Sequence, residues 1–399
     1  MKEEKITLST KNLKWRIVAF VFVLVVAVGA FSYGFSNMAK MKEGYYEITE
    51  SPDEEAPLYG NGIALTYRFM GESSVMKEER KRLEEVYSIA LKRAYKFLDP
   101  VNSYNGFCNI ATINANPGKE LEISKELYDV LRDAYEKTAE NKGYNMFAGA
   151  FYEHWNSILV LENPDEFDPL MNEEEARRLE ALADITDDRN NFSLTFTEGD
   201  SPRIKFDVSD QYIKFCEENE EQNCYLHLNL LQDAYIIQIV AAVLEKEGYT
   251  DGFLTTDSGL TVSLSGQEPG EYSLYSSVDG RVAQVLNVVA EPGSVFSEFR
   301  SFPFSEEEDC YYSLQKNGII YYRSPVVMPD KTGFHNVILS SCAVSYNNQA
   351  IPDTVYFNIQ MQNAKDEEEL KEIAADSTEI KYAYTLIADK EPEVYSNIE

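Results

Sequence analysis

The stretch LHLNLLQDAYIIQIVAAVLEKEGYTDGFLTTDSG, residues 226–259, decides the fold. Ile236, Ile239, Val240, Val243 and Leu244 recur at helical spacing, which predicts an apolar helix running to Glu247. Gly248 suits the position just past a helix end, where a left-handed backbone carries no Cβ penalty. Residues 253–259, Phe-Leu-Thr-Thr-Asp-Ser-Gly, predict a strand and a turn. Ahead of the helix, Asn229 to Asp233 reads on its own as a strand-to-helix turn with a polar first turn.

Working outward, residues 78–98 place Leu83, Val86, Tyr87, Ala90, Leu91, Ala94 and Leu98 on one helical stripe, ended by Asp99-Pro100. Ser124 is a candidate N-cap for a second helix reaching Glu140, with Gly143 beyond it. Asn172 with Glu175 marks the start of a third helix, to about Asp184. Strands are expected at 60–69, 192–197, 204–208, 260–264, 282–289, 318–323, 336–345 and 380–388, and a short helix at 366–375. No internal repeat is present. Helices mixed with non-local strands predict an α+β domain of mixed α/β layers.

The 399 residues carry a formal net charge of −32, with 44% hydrophobic residues, 27 Tyr and 21 Phe. An acidic surface of this size repels nucleic-acid phosphates, so no nucleic-acid partner is expected. No charged residue lies between residues 17 and 39, enough apolar length for one transmembrane helix. Lys2, Lys5, Lys11, Lys14 and Arg16 precede it, which predicts a cytoplasmic N-terminus (1–16), an anchor (17–38) and an extracytoplasmic remainder. A cleaved signal peptide is the competing reading. Residues 39–57 read as a linker, 58–390 as the main domain and 391–399 as a polar tail. Cys108, Cys216, Cys224, Cys310 and Cys342 show no zinc spacing. Cys216 and Cys224 suit a small disulfide in an oxidising compartment; buried free thiols are the expectation.

Residues 226–259 resemble the core of the ApbE family, the FAD:protein FMN transferases. The family pattern is Asp-Leu-Gly-Gly-Ile-Ala-Lys-Gly-Tyr, a helix, then a strand ending in Gly-Gly. Leu228, Tyr235 and Gly259 match it. The family Asp falls on His227, the paired glycines on Asn229 and Leu230, the Lys on Asp233 and the next Gly on Ala234. The early stretch from Asp99 to Asn114 is similar to a family segment ending in Asn. Residues 143–155 resemble Gly-x-Phe-Asp-x-Thr-x-Gly followed by Leu-Trp, with Gly143, Gly149 and Trp155 matching. Asn145 and Phe147 replace the family Asp and Thr. Pro329-Asp330-Lys331-Thr332-Gly333 resembles the family loop His-Ile-Ile-Asp-Pro-Lys-Thr-Gly without its His. Asp353 matches an Asp that the family follows, four residues on, with a Thr; here that position is Phe357.

The resemblance implies a membrane-anchored domain that binds FAD and Mg²⁺ and serves an exported flavoprotein acceptor. It implies Asp353 as the metal ligand and catalytic carboxylate, and Tyr235, Ser258, Gly259, Asp330 and Thr332 as cofactor-binding residues. Two readings follow. One is an active transferase moving FMN from FAD to a Thr hydroxyl of an exported protein. The other is a divergent member with weakened or lost catalysis, because each substituted position removes a contribution. Asp233 places a carboxylate where positive charge would meet a phosphate, and Asn229 and Leu230 fill space that paired glycines leave open. The plainer roles are an N-cap for Asp353, and core packing for Trp155 beside a partly exposed His154.

Overall fold

The computed structural model describes residues 40–49, 62–140, 142–221, 223–278, 281–304, 308, 310–327, 338–376, 379–386 and 393–398. The chain divides into two units, residues 1–45 with 68–82, and residues 46–67 with 83–399. In the first unit Ser73 Oγ accepts from the Met41 N–H at 2.9 Å, and Glu43 accepts from the Gly71 N–H at 2.8 Å. The elements of the fold lie in the second unit, apart from residues 44–45, 68–69 and 73–82.

Its main sheet has eight strands. In spatial order they are β1 (Gly44–Thr49), β2 (Ile63–Phe69), β6 (Gly252–Thr256), β7 (Leu260–Ser263), β10 (Val295–Arg300), β13 (Ile338–Ser345), β14 (Lys381–Leu386) and β15 (Val394–Ser396). From β2 to β6 and from β6 through β15 each registered pair is antiparallel. A three-stranded sheet has the order β3 (Glu120–Glu122), β5 (Arg203–Val208), β4 (Phe192–Thr197). Two hairpins complete the strands, β8 (Gly270–Val278) with β9 (Arg281–Ala290), and β11 (Tyr312–Lys316) with β12 (Ile319–Arg323).

The helices are α1 (Ser73–Leu98), α2 (Ile110–Asn114), α3 (Lys125–Glu140), α4 (Gly149–Leu159), α5 (Glu173–Asp187), α6 (Asp210–Glu218), α7 (Leu231–Lys246), α8 (Ile351–Gln362) and α9 (Glu367–Asp376). Short polar side chains set several of their starts. Ser124 Oγ accepts from Leu127 N–H at 3.1 Å, and Asn172 Oδ1 accepts from Glu174 and Glu175 N–H. Both caps stand where the sequence predicts them. The α+β expectation holds.

Every residue of β13 is buried, because α8 packs on it and on β10, and α7 packs on α8. The small side chains Ser340, Ser341, Cys342 and Ala343 leave room for that approach. They also give partners to two buried amides of α8. Asn358 accepts from Ser341 Oγ at 2.7 Å and donates to the Ser297 carbonyl at 3.0 Å. Gln362 accepts from Ser341 Oγ at 3.0 Å and donates to Ser301 Oγ at 3.1 Å. Beside them Ile338, Phe357, Met361, Leu370 and Tyr384 form an apolar cluster.

Two expectations on organisation change. The linker 39–57 contains β1, and the polar tail 391–399 contains β15, so both add edge strands to the main sheet. Backbone pairing makes an edge strand without an apolar run, which is why hydropathy misses it. Cys216 and Cys224 are separate buried thiols and form no disulfide. Among the described residues no helix is long and apolar enough to cross a membrane; the anchor at 17–38 lies outside them.

Candidate functional site

The predicted stretch folds as expected, and its details decide what the site can do. Gly248 ends α7 with φ +89, and β6 and the turn 257–259 follow. Asn229 has φ +48, so a left-handed backbone stands at the first of the two positions that the resemblance assigns to glycine. Its N–H donates to His227 Nδ1 at 2.7 Å.

Asp233, on the first turn of α7, does not turn outward. Its Oδ2 accepts from Ser258 Oγ at 2.6 Å, and Ser258 Oγ stands 2.7 Å from Thr256 Oγ1. Burial pushes the Asp233 carboxyl above its ordinary range; the Ser258 donation opposes this and nearby Asp257 adds to it. The position that the resemblance assigns to a lysine is thus a half-buried acid, and Ser258 is its partner. Gly259 is structural too. It has φ +87, and a Cβ there would stand 2.2 Å from the Glu298 carbonyl oxygen on β10.

Tyr235 and Asp353 line one groove of about 530 Å³, together with Val130, Ile239 and Pro352. Glu126, Asp129, Asp133, Asp353 and Lys246 give it its charged groups, with Arg93 paired to Glu126 and Lys125 to Asp129. Tyr235 Oη donates to Asp133 Oδ2 at 2.6 Å. Lys137 on α3 closes the array, its Nζ 2.8 Å from Asp133 Oδ1 and 2.6 Å from Asp353 Oδ1. Burial lowers the Lys137 pKa, but the two carboxylates outweigh it and the net shift is upward. Asp353 is not an N-cap. The cap position is Ala350, and Asp353 sits inside the first turn of α8.

Magnesium does not fit these residues. A hard divalent ion needs a shell of oxygens; Asp133 and Asp353 both face the Lys137 ammonium, which already occupies the point between them. Thr354 Oγ1 donates back to the Ala350 carbonyl, and Phe357, one turn on, is buried in the apolar cluster. An ion about 4 Å from the Lys137 ammonium would also meet its like charge, which water at the exposed Asp133 and Asp353 side chains screens in part. The diphosphate of FAD meets a different difficulty in this groove, the like charge of the carboxylates that line it. Asp330 and Thr332 lie outside the described residues.

The remaining candidates are structural. Trp155 is buried, and its Nε1 donates to the Ser324 carbonyl at 3.0 Å. His154 faces Glu175 at 2.9 Å and Glu221 at 3.6 Å. Asn145 donates to the Thr186 carbonyl and accepts from the Phe147 N–H. Gly149 starts α4 against the Cys224 carbonyl oxygen, where a Cβ would stand 1.8 Å away.

Sequence reasoning missed one group. The ligand atoms of Glu153, Cys224 and His227 lie within 4.8 Å of one another. Their hydrogen bonds use that chemistry up. His227 Nδ1 accepts from Asn229, which puts the proton of a neutral ring on Nε2, 3.2 Å from Glu153 Oε1. Neither ring nitrogen then keeps a lone pair for a metal. Burial also raises the Cys224 thiol well above its ordinary range, against thiolate formation.

No family model matches the sequence, and no curated protein does. Solved structures do match. A flavin transferase ApbE from Vibrio cholerae aligns with TM-score 0.56 at 13% identity, over 89% of this chain and 97% of its own. An ApbE protein from Thermotoga maritima gives TM-score 0.58 at 12% identity, over 88% and 96%. The apo flavinyl transferase ApbE of Pseudomonas stutzeri gives 0.55 at 13%, over 90% and 95%. Likeness at this identity is likeness of backbone, and it spans nearly the whole of each chain. The chain therefore has the fold of the ApbE flavin transferases, in a divergent version.

Proposed function

We propose that this chain is a membrane-anchored, extracytoplasmic ApbE-like protein that has lost FMN transfer and acts as a binding domain. The observation that carries this reading is the Asp233–Ser258 pair. Where the resemblance implies a lysine to meet a cofactor phosphate, a shielded carboxylate stands instead, and it consumes a serine assigned to the flavin site. The burial of Phe357 at the position of the second metal ligand supports the same reading. The five basic residues before position 17 support the anchor and its orientation. The partner in this proposal is an exported flavoprotein, held as a ligand and not as a substrate.

The test is a transfer assay. The purified full chain is incubated with FAD, Mg²⁺ and an acceptor protein that the Vibrio cholerae enzyme flavinylates in a parallel reaction. The expected result is no covalent FMN on the acceptor, by in-gel fluorescence and intact mass. An acceptor gaining the mass of FMN overturns the proposal. A parallel FAD titration, followed by flavin fluorescence, is expected to show no Mg²⁺-dependent saturation.

A further inference from the structure

We infer that the Lys137 ammonium is a built-in cation that takes the place of a divalent ion at Asp353. This deepens the reading above and rests on it, since it concerns the same carboxylate. Lys137 reaches Asp353 from a different element, α3, and its side chain is only 7% exposed. A lysine on a surface would leave its head in water. This one is held on several sides: Asp133 Oδ1 at 2.8 Å, Asp353 Oδ1 at 2.6 Å, and the Tyr356 ring with its centroid 5.7 Å away. Tyr356 is itself fixed, its Oη donating to the Lys137 carbonyl at 2.9 Å and lying 3.1 Å from Glu140 Oε2.

The arrangement solves an electrostatic problem. Asp133 and Asp353 face the same ammonium from side chains 41% and 61% exposed, and a positive charge between two carboxylates relieves their repulsion. A divalent ion meets that need at the cost of a full oxygen shell. A lysine meets it with three donors and no shell, and Lys137 uses two of them here. Tyr235 Oη donates to the other oxygen of Asp133, so the array runs from the first turn of α8 through α3 to α7. The groove beside it is then organised by a covalently attached charge and is indifferent to magnesium.

The experiment compares the full wild-type chain with Lys137→Arg, Lys137→Met, Asp353→Asn and the double variant Lys137→Met/Asp353→Asn. Mn²⁺ serves as the probe for EPR titration, and Mg²⁺ or EDTA for thermal unfolding. Wild type and Lys137→Arg are expected to bind no Mn²⁺ in the micromolar to low-millimolar range and to show no change in Tm with Mg²⁺ or EDTA. Lys137→Met is expected to melt several degrees lower, to regain Tm with millimolar Mg²⁺, and to lose that response in the double variant. Saturable Mn²⁺ binding by wild type that disappears in Asp353→Asn overturns the inference. A folded Lys137→Met that ignores Mg²⁺ also counts against it. If Lys137→Met does not fold, the comparison of wild type with Asp353→Asn decides alone. These readouts are independent of FMN transfer, so either proposal can fail without the other.

Discussion

Asn114 and Leu226 exchange two hydrogen bonds across 112 residues of sequence. Asn114 Nδ2 donates to the Leu226 carbonyl at 3.0 Å, and the Leu226 N–H donates to Asn114 Oδ1 at 2.8 Å. The same amide donates to the Pro100 carbonyl at 3.1 Å. One buried side chain thus fastens the loop after α1 to the start of the stretch that carries α7. Asn114→Ala leaves a buried N–H and two carbonyls without this partner. Each unsatisfied group costs about 1–3 kcal/mol, so urea unfolding should show a loss of at least about 3 kcal/mol. A loss under about 1 kcal/mol would mean that water replaces the amide.

The hairpin β11–β12 is held by charge. Arg323 Nε donates to Asp168 Oδ2 at 2.6 Å, Tyr312 Oη donates to the same oxygen at 2.9 Å, and the Leu170 N–H donates to Oδ1 at 2.7 Å. Asp168 and Arg323 are 0% and 1% exposed. Removing one partner strands the other charge, which typically costs about 3–5 kcal/mol. Asp168→Ala should therefore destabilise by that order, and Asp168→Ala/Arg323→Met should recover a large part of it. Additive losses in a double-mutant cycle would refute the coupling.

Glu298 predicts a pH dependence. It lies on β10, and burial pushes its carboxyl from the ordinary 4.5 up to about 7, against the opposing Tyr275 N–H donation and the Arg300 charge. Below about pH 4.5 both folded and unfolded states hold the proton. Between 4.5 and 7 the unfolded chain releases it first, so stability falls as pH rises, by about 1.4 kcal/mol for each unit of separation. Above 7 the loss is complete. Glu298→Gln keeps an acceptor for Tyr275 and removes the charge. It should flatten this part of the stability–pH curve and melt higher than wild type at pH 8. An unchanged slope would show that other groups produce it.

Local signals carried the reading of this fold. Ser124 and Asn172 cap helices through neighbours two or three residues away, and the α7 periodicity is contained in sixteen residues. Strand β10, Val-Phe-Ser-Glu-Phe-Arg, escaped because it is buried on both faces and so lacks a clean alternation. The site was legible only in part. Tyr235 and Asp353, two residues that the resemblance singles out, line one groove. What neutralises Asp353 lies 216 residues earlier on another helix, and no spacing in a single sequence reports such a pair. Ser258 is a ligand contact on the resemblance alone, and nothing local in the sequence reports that its hydroxyl meets Asp233, 25 residues earlier.

Phe357 separates two explanations of the altered metal position. Its ring packs with Ile338, Met361 and Tyr384, and is 7% exposed. Phe357→Thr restores the hydroxyl that the resemblance implies, but it removes a ring from the core. A buried Phe→Ala change costs about 3–5 kcal/mol, and Thr fills little more of the space. The variant should therefore lose roughly that much stability, and it should still ignore Mg²⁺, because Lys137 holds Asp353 whatever stands at 357. Combined with Lys137→Met, the same substitution should strengthen the Mg²⁺ response over Lys137→Met alone, since it adds a hydroxyl one helical turn from the freed carboxylate. A Mg²⁺-dependent rise in Tm in Phe357→Thr alone would assign the change to the missing hydroxyl and not to the lysine.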